Sequence, residues 1–197
     1  MIKKLSSQSK RTPPIFKSDL EPWFNACLNF THDQLSLYII GYRDAAEVLN
    51  RHVLENRGKG SDTLVYPIIF LYRHYIELQL KSLIKYGSIL SESPEDIPLT
   101  HDIKKLWEKC RRILEEIWPD DSESLNEVEE CVLQISEVDP SSQAFRYSKD
   151  KGGKNTLPGI KHINLKNFHE KISRVASILE GADAGISHYL DNVEWCY

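Results

Sequence analysis

The chain has 197 residues, 41% of them hydrophobic and 27% charged, with a formal net charge of -4. These are ordinary values for one compact domain with a sizeable core, and they exclude wholesale disorder. A generally basic nucleic-acid coat is excluded by the same balance.

The charge is unevenly distributed. Residues 1–17 carry Lys3, Lys4, Lys10, Arg11 and Lys17 with no acid, and are expected to form a flexible basic arm. No apolar core region follows these cations, so a secretory signal is not expected. Residues 18–197 are assigned to a single helical-bundle domain.

From Asp33 to about Asn56, Leu35, Tyr38, Ile39, Tyr42, Ala46, Leu49 and Val53 recur at three- and four-residue steps. The spacing predicts a helix with one buried stripe. Gly58 and Gly60 end it. Ser61 or Asp62 then caps a second helix, regular from about Pro67, running to Tyr86 and stopping at Gly87. Its opening, Leu64 to Tyr72, is far shorter than the roughly 20 apolar residues needed to cross a bilayer. A loop, SESPEDIPL, leads to Thr100, the expected N-cap of a helix reaching Trp118. Ser122 or Ser124 starts another helix, through Leu125, Val128, Val132 and Ile135 and closed by Pro140. The last begins near Asn164, and Gly181 and Gly185 are expected to kink or split it. No period-two alternation points to a sheet. The fold class is all-α, an antiparallel bundle of five or six helices.

Residues 120–139 hold eight acids and no base, the pattern of a solvated helix face. The segment 139–163 has no helical or strand signal and reads as a long basic loop, with Arg146, Lys149, Lys151, Lys154 and Lys161. Phe145 and Tyr147 are expected to anchor it.

The second helix is apolar in nearly every direction, yet it contains Arg73, His74, Glu77 and Lys81. With Arg73 at zero, Glu77 falls near ~40°, Lys81 near ~80° and His74 near ~100°. Four ionisable groups therefore share one sector. Facing solvent, they would form weak i,i+4 pairs. Facing a cleft, Arg73 would bind phosphate or carboxylate and His74 would exchange protons near neutral pH. The candidate catalytic residues are His74, Arg73 and Glu77, and the candidate phosphate ligands are Lys81, Arg146, Tyr147, Lys151 and Lys154.

No metal or cofactor is expected. His74 and Glu77 are spaced to share a metal, but no second helix supplies a matching pair. HExxH, zinc-type Cys/His spacing, P-loop, GxGxxG and GxSxG motifs are missing. His101, at a helix start, reads as a capping or first-turn packing residue. The four cysteines are scattered; Cys110 and Cys131 read as core residues, and reduced thiols suit a cytoplasmic protein.

YPIIFLYRHYIELQLKSLI, then HDIKKLW, then FRYSKD before a final long helix, resembles bacterial HEPN-like helical proteins over roughly residues 33–195. The resemblance implies an all-α bundle that pairs as a homodimer, binds RNA or a nucleotide, and serves antiviral defence of the toxin or abortive-infection type. A partner protein in a defence operon and metal-independent ribonuclease activity belong to the same expectation. The family's Arg-x4-6-His signature is absent, Arg73 and His74 being adjacent, so no catalytic pair is carried over. The rival reading is a non-catalytic protein–protein interaction subunit whose polar stripe is a structural ion-pair network.

Overall fold

The computed structural model describes residues 15–18, 20–91 and 93–194, without the side chains of residues 193 and 194. Most of the expected basic arm, and Cys196, lie outside the described residues. The chain divides into two units at His32. Among its described residues the first holds a 3-10 turn, Pro22–Phe24.

The second unit, from Asp33, is all-helical: α1 (Gln34–Glu55), α2 (Ser61–Leu90), α3 (Ile103–Ile117), α4 (Ser122–Val138) and α5 (Leu165–Glu194). Among the described residues there is no strand, only a single antiparallel bridge between Lys149 and Asn155. Left-handed Arg57, Gly58 and Gly60 let the five-residue link turn α2 back along α1.

α2 is the inner helix and packs against α1, α3 and α5. Ile68, Tyr72, Tyr75, Ile76, Leu80, Leu83 and Ile84 are buried around its circumference, as the absence of a polar side in its sequence requires. Each of the aliphatic side chains among them contributes about 1.5–3 kcal/mol of transfer free energy. Trp107, Leu106, Cys110 and Leu114 close the core from α3, and Ile172, Val175, Leu179 and Ile186 from α5. No helix among the described residues is long and apolar enough to cross a membrane.

Several punctuating residues act differently from their sequence reading. α2 already starts at Ser61, with Pro67 inside it. The missing proline N–H removes only one helical bond, and surrounding packing outweighs that loss. Gly87 does not stop α2. A Cβ there would lie 2.7 Å from Ile113 Cγ2 and 3.3 Å from Ile186 Cδ1, so the glycine lets neighbouring helices close in. Gly185 has the same role beneath Trp118, where a Cβ would meet Cζ2 at 2.8 Å. α5 continues unbroken through Gly181 and Gly185. The cap of α3 is Asp102, whose side chain accepts from the amides of Lys104 and Lys105; Thr100 instead accepts from the Asp102 amide.

The 139–163 segment is folded. Asp139, the last of the acidic run, is buried, and its Oδ1 accepts from the amides of Gln143 at 2.7 Å and Ala144 at 3.0 Å. Ala144 and Phe145 are buried against Ile69 of α2, with Val138, Leu157 and Phe168 packed around them. Beyond them a tight turn is held by Asp150, which accepts from the amides of Gly152 and Lys154. Aromatic anchoring at Phe145 thus holds as expected, while Tyr147 remains 56% exposed.

Candidate functional site

The polar sector of α2 faces inward. Arg73 is fully buried and Glu77 nearly so, and only about a tenth of the Lys81 side chain reaches solvent. The Glu77 carboxylate accepts on Oε2 from Arg73 Nη1 at 3.0 Å and on Oε1 from Lys81 Nζ at 2.9 Å. Both pairs are the i,i+4 contacts that the helical period dictates. The surroundings come from elsewhere in the chain.

The third partner of Glu77 is His101, whose Nδ1 lies 2.8 Å from Oε1. Its side chain is 68% exposed although it leans on a buried carboxylate. A carboxylate can only accept, so Nδ1 is the donor of this pair and Nε2 is the ring nitrogen that Glu77 leaves unengaged. Arg73 Nη2 donates to the His101 backbone carbonyl at 2.8 Å. Arg73 therefore fixes the main chain of the residue whose ring Glu77 orients. By sequence His101 reads only as a helix-start residue. The available signal was a histidine one residue ahead of an Asp cap, placed where side chains stay exposed.

Asp139 is the second residue that the sequence reading missed. Arg73 Nε donates to its backbone carbonyl at 3.2 Å and lies 3.6 Å from its Oδ2. All three guanidinium nitrogens of Arg73 are thus engaged within the protein. Arg73 ties α2 both to the lead-in of α3 and to the start of the 139–163 segment, and its full burial keeps it from a phosphate. An Asp before Pro140 with Ser-Ser following is a turn-capping pattern, legible in principle.

His74 lies beside this network. Its ring meets Tyr42 edge-on, with centroids 4.4 Å apart, and stacks on Phe70 at 5.9 Å. The guanidinium of Arg146 lies 5.4 Å from the same Phe70 ring and 5.5 Å from that of Tyr147. Phe70 therefore links His74 to the loop, and Arg146 and Tyr147 do approach the α2 sector. Arg146 Nε donates to the Ser142 carbonyl at 2.7 Å. Its terminal nitrogens have no partner among the described residues, and the side chain is exposed. Lys151 and Lys154 sit on the exposed turn around Asp150; no contact joins them to Arg73, His74 or Glu77.

Burial alone would push the Glu77 carboxyl up, but hydrogen bonds from Lys81, His101 and Arg73 outweigh it and hold it below the usual carboxylate value. Glu77 is therefore an anion at neutral pH. Burial pushes His74 down, against the attraction of Glu77, and Arg73, Lys81 and His101 reinforce the fall. His74 is thus kept neutral, in aromatic surroundings. No three His, Cys, Asp or Glu gather closely enough to hold a metal ion among the described residues. The Glu77 oxygens that a His74–Glu77 metal pair would need are taken by Arg73, Lys81 and His101.

The arrangement sets an exposed imidazole against a buried carboxylate, and the terminal nitrogens of Arg146 stand exposed at the Phe70 ring. Compared with family models, curated proteins and solved structures, the chain gives no match.

Proposed function

We propose that this chain is a HEPN-like RNA-binding protein of bacterial antiviral defence, acting as a homodimer, in which His101 is the proton acceptor for metal-independent RNA cleavage. The single observation that carries this reading is the 2.8 Å contact between buried Glu77 and the largely exposed His101 ring. A carboxylate that fixes one ring nitrogen leaves the other oriented as a base, the Asp–His half of a hydrolytic triad. His101 Nε2 would take the proton of a 2′-hydroxyl. The 2′-oxygen bonds to phosphorus, the P–O5′ bond breaks, and the departing 5′-oxygen takes a proton from water. A 2′,3′-cyclic phosphate and a 5′-hydroxyl result. The free guanidinium edge of Arg146 supports the negative charge that develops on phosphorus. Arg73 and Glu77 are positioning residues in this scheme, and His74 with Phe70 offers an apolar ring surface beside the phosphate.

The test is cleavage of single-stranded RNA in EDTA by the wild type and by His101→Ala. Because His101 is mostly exposed, the variant keeps its fold, and cleavage falls by about a hundredfold or more. Equal cleavage by the two proteins sinks the assignment.

A second reading is favoured by a different observation. Arg73 has every nitrogen satisfied internally, as a purely structural ion-pair network in an interaction subunit would require. That reading expects neither RNA cleavage nor RNA retention at low salt, where phosphate contacts are strongest.

A further inference from the structure

A groove runs between α4, α5 and the 139–163 segment, with a volume of about 240 Å³. Its walls include Ile69, Val138, Phe145 and Phe168, and its rim includes Gln134, Asn167 and Lys171. We propose that this groove seats one nucleobase of the RNA, next to the phosphate that His101 and Arg146 address; the inference rests on the cleavage reading above.

Three observations carry it. The first is size. The volume is below the roughly 300–1,000 Å³ of sites for drug-sized ligands, so it takes a single ring system and not an extended chain. The second is chemistry. The walls are aromatic and aliphatic, the amides of Gln134 and Asn167 stand at the edge, and Lys171 has no ion pair among the described residues. Flat apolar faces with amides at the perimeter suit a heterocycle with polar edges. The unpaired ammonium at the mouth suits its phosphate.

The third is placement. Ile69 lines the groove, and its neighbour Phe70 carries the contacts to His74 and Arg146. Phe145 lines the groove, and its neighbour Arg146 reaches to the other side. Two consecutive residue pairs thus have one member in the groove and one at the proposed phosphate site. The groove and the Arg146 face are thus joined through two pairs of adjacent residues, and a base in the groove with the adjoining phosphate at Arg146 makes one nucleotide step. Asp139, bonded to Arg73 and capping the turn that carries Phe145, holds both sides in register.

The experiment uses the full chain and the four ribonucleosides, their 5′-monophosphates and decanoate, with binding read by calorimetry or saturation-transfer NMR. Ile160, at the edge of the groove and 39% exposed, is replaced by Trp to cover the mouth. Wild type and His101→Ala are expected to bind at least one nucleoside. Ile160→Trp is expected to weaken that binding about tenfold or more, the loss of one stacked base. The gain from a 5′-phosphate should vanish in Lys171→Gln and at high salt. No nucleoside binding, binding unchanged in Ile160→Trp, or displacement by decanoate in place of nucleosides would each overturn the proposal. Nucleoside binding that Ile160→Trp abolishes, without RNA cleavage by wild type, supports the groove while refuting the cleavage reading. Cleavage lost in His101→Ala but untouched by Ile160→Trp does the reverse.

Discussion

Replacing Glu77 with glutamine preserves size and removes one charge from the centre of the bundle. The carboxylate has two buried cations on it, Arg73 at 3.0 Å and Lys81 at 2.9 Å, and orients His101 at 2.8 Å. A glutamine amide accepts on one atom only, and its NH₂ group would face donors. Removing one partner of a buried ion pair costs about 3–5 kcal/mol, because the other charge is left uncompensated. At about 2–4 °C per kcal/mol for a domain of this size, the melting temperature at neutral pH should fall by roughly 10 °C. The effect has a definite pH dependence. The folded carboxyl titrates below its ordinary value of 4.5, so its stabilisation is complete above that pH and is lost as the pH falls through the folded value. The gap between wild type and Glu77→Gln should therefore close in acid. Thermal unfolding followed by circular dichroism, at neutral pH and below about pH 3, measures both effects. A neutral-pH difference under about 2 °C, or a gap that widens on acidification, would show that Glu77 is not a compensated buried anion.

Other outcomes follow from the same geometry. Asp139→Ala removes the acceptor for the Gln143 and Ala144 amides and a buried carboxylate 3.6 Å from Arg73 Nε; it should cost about 3–5 kcal/mol and speed tryptic cleavage at Lys149, Lys151 and Lys154, leaving far-ultraviolet dichroism unchanged. Gly87→Ala, whose Cβ would lie 2.7 Å from Ile113 Cγ2, should destabilise by about 1–3 kcal/mol through overpacking. Gly181→Ala, with nothing within 4 Å of the new Cβ, should stabilise by about 0.5–1 kcal/mol in urea unfolding. His74 should titrate by NMR below its ordinary 6.5. The unfolded chain then binds the proton first, so this group's contribution is lost as the pH falls from about 6.5 toward the folded value; His74→Phe should keep the ring contacts and remove that part of the acid sensitivity.

How far the site was legible depended on sequence separation. Glu77 contacts Arg73 and Lys81 four residues away, and the 3.6-residue period alone puts those side chains together. Its contact with His101 spans 24 residues, and those of Arg73 with His101 and Asp139 span 28 and 66. Such pairs depend on how α3 and the end of α4 dock on α2, which no local period encodes. The same distinction explains the glycines. Sequence shows that Gly87 and Gly185 lack a Cβ, but only packing shows Ile113 and Trp118 occupying that space.

By itself, the sequence determined the helical class, the inner position of α2 and the polar sector on it, because periodicity and the solvation cost of apolar surface act along a single element. Tertiary structure decided what that sector serves. It buried Arg73 as a tie between two segments, set His101 against Glu77 with its ring exposed, and brought Arg146 to Phe70, because a charge taken out of water must find partners wherever the surrounding helices present them.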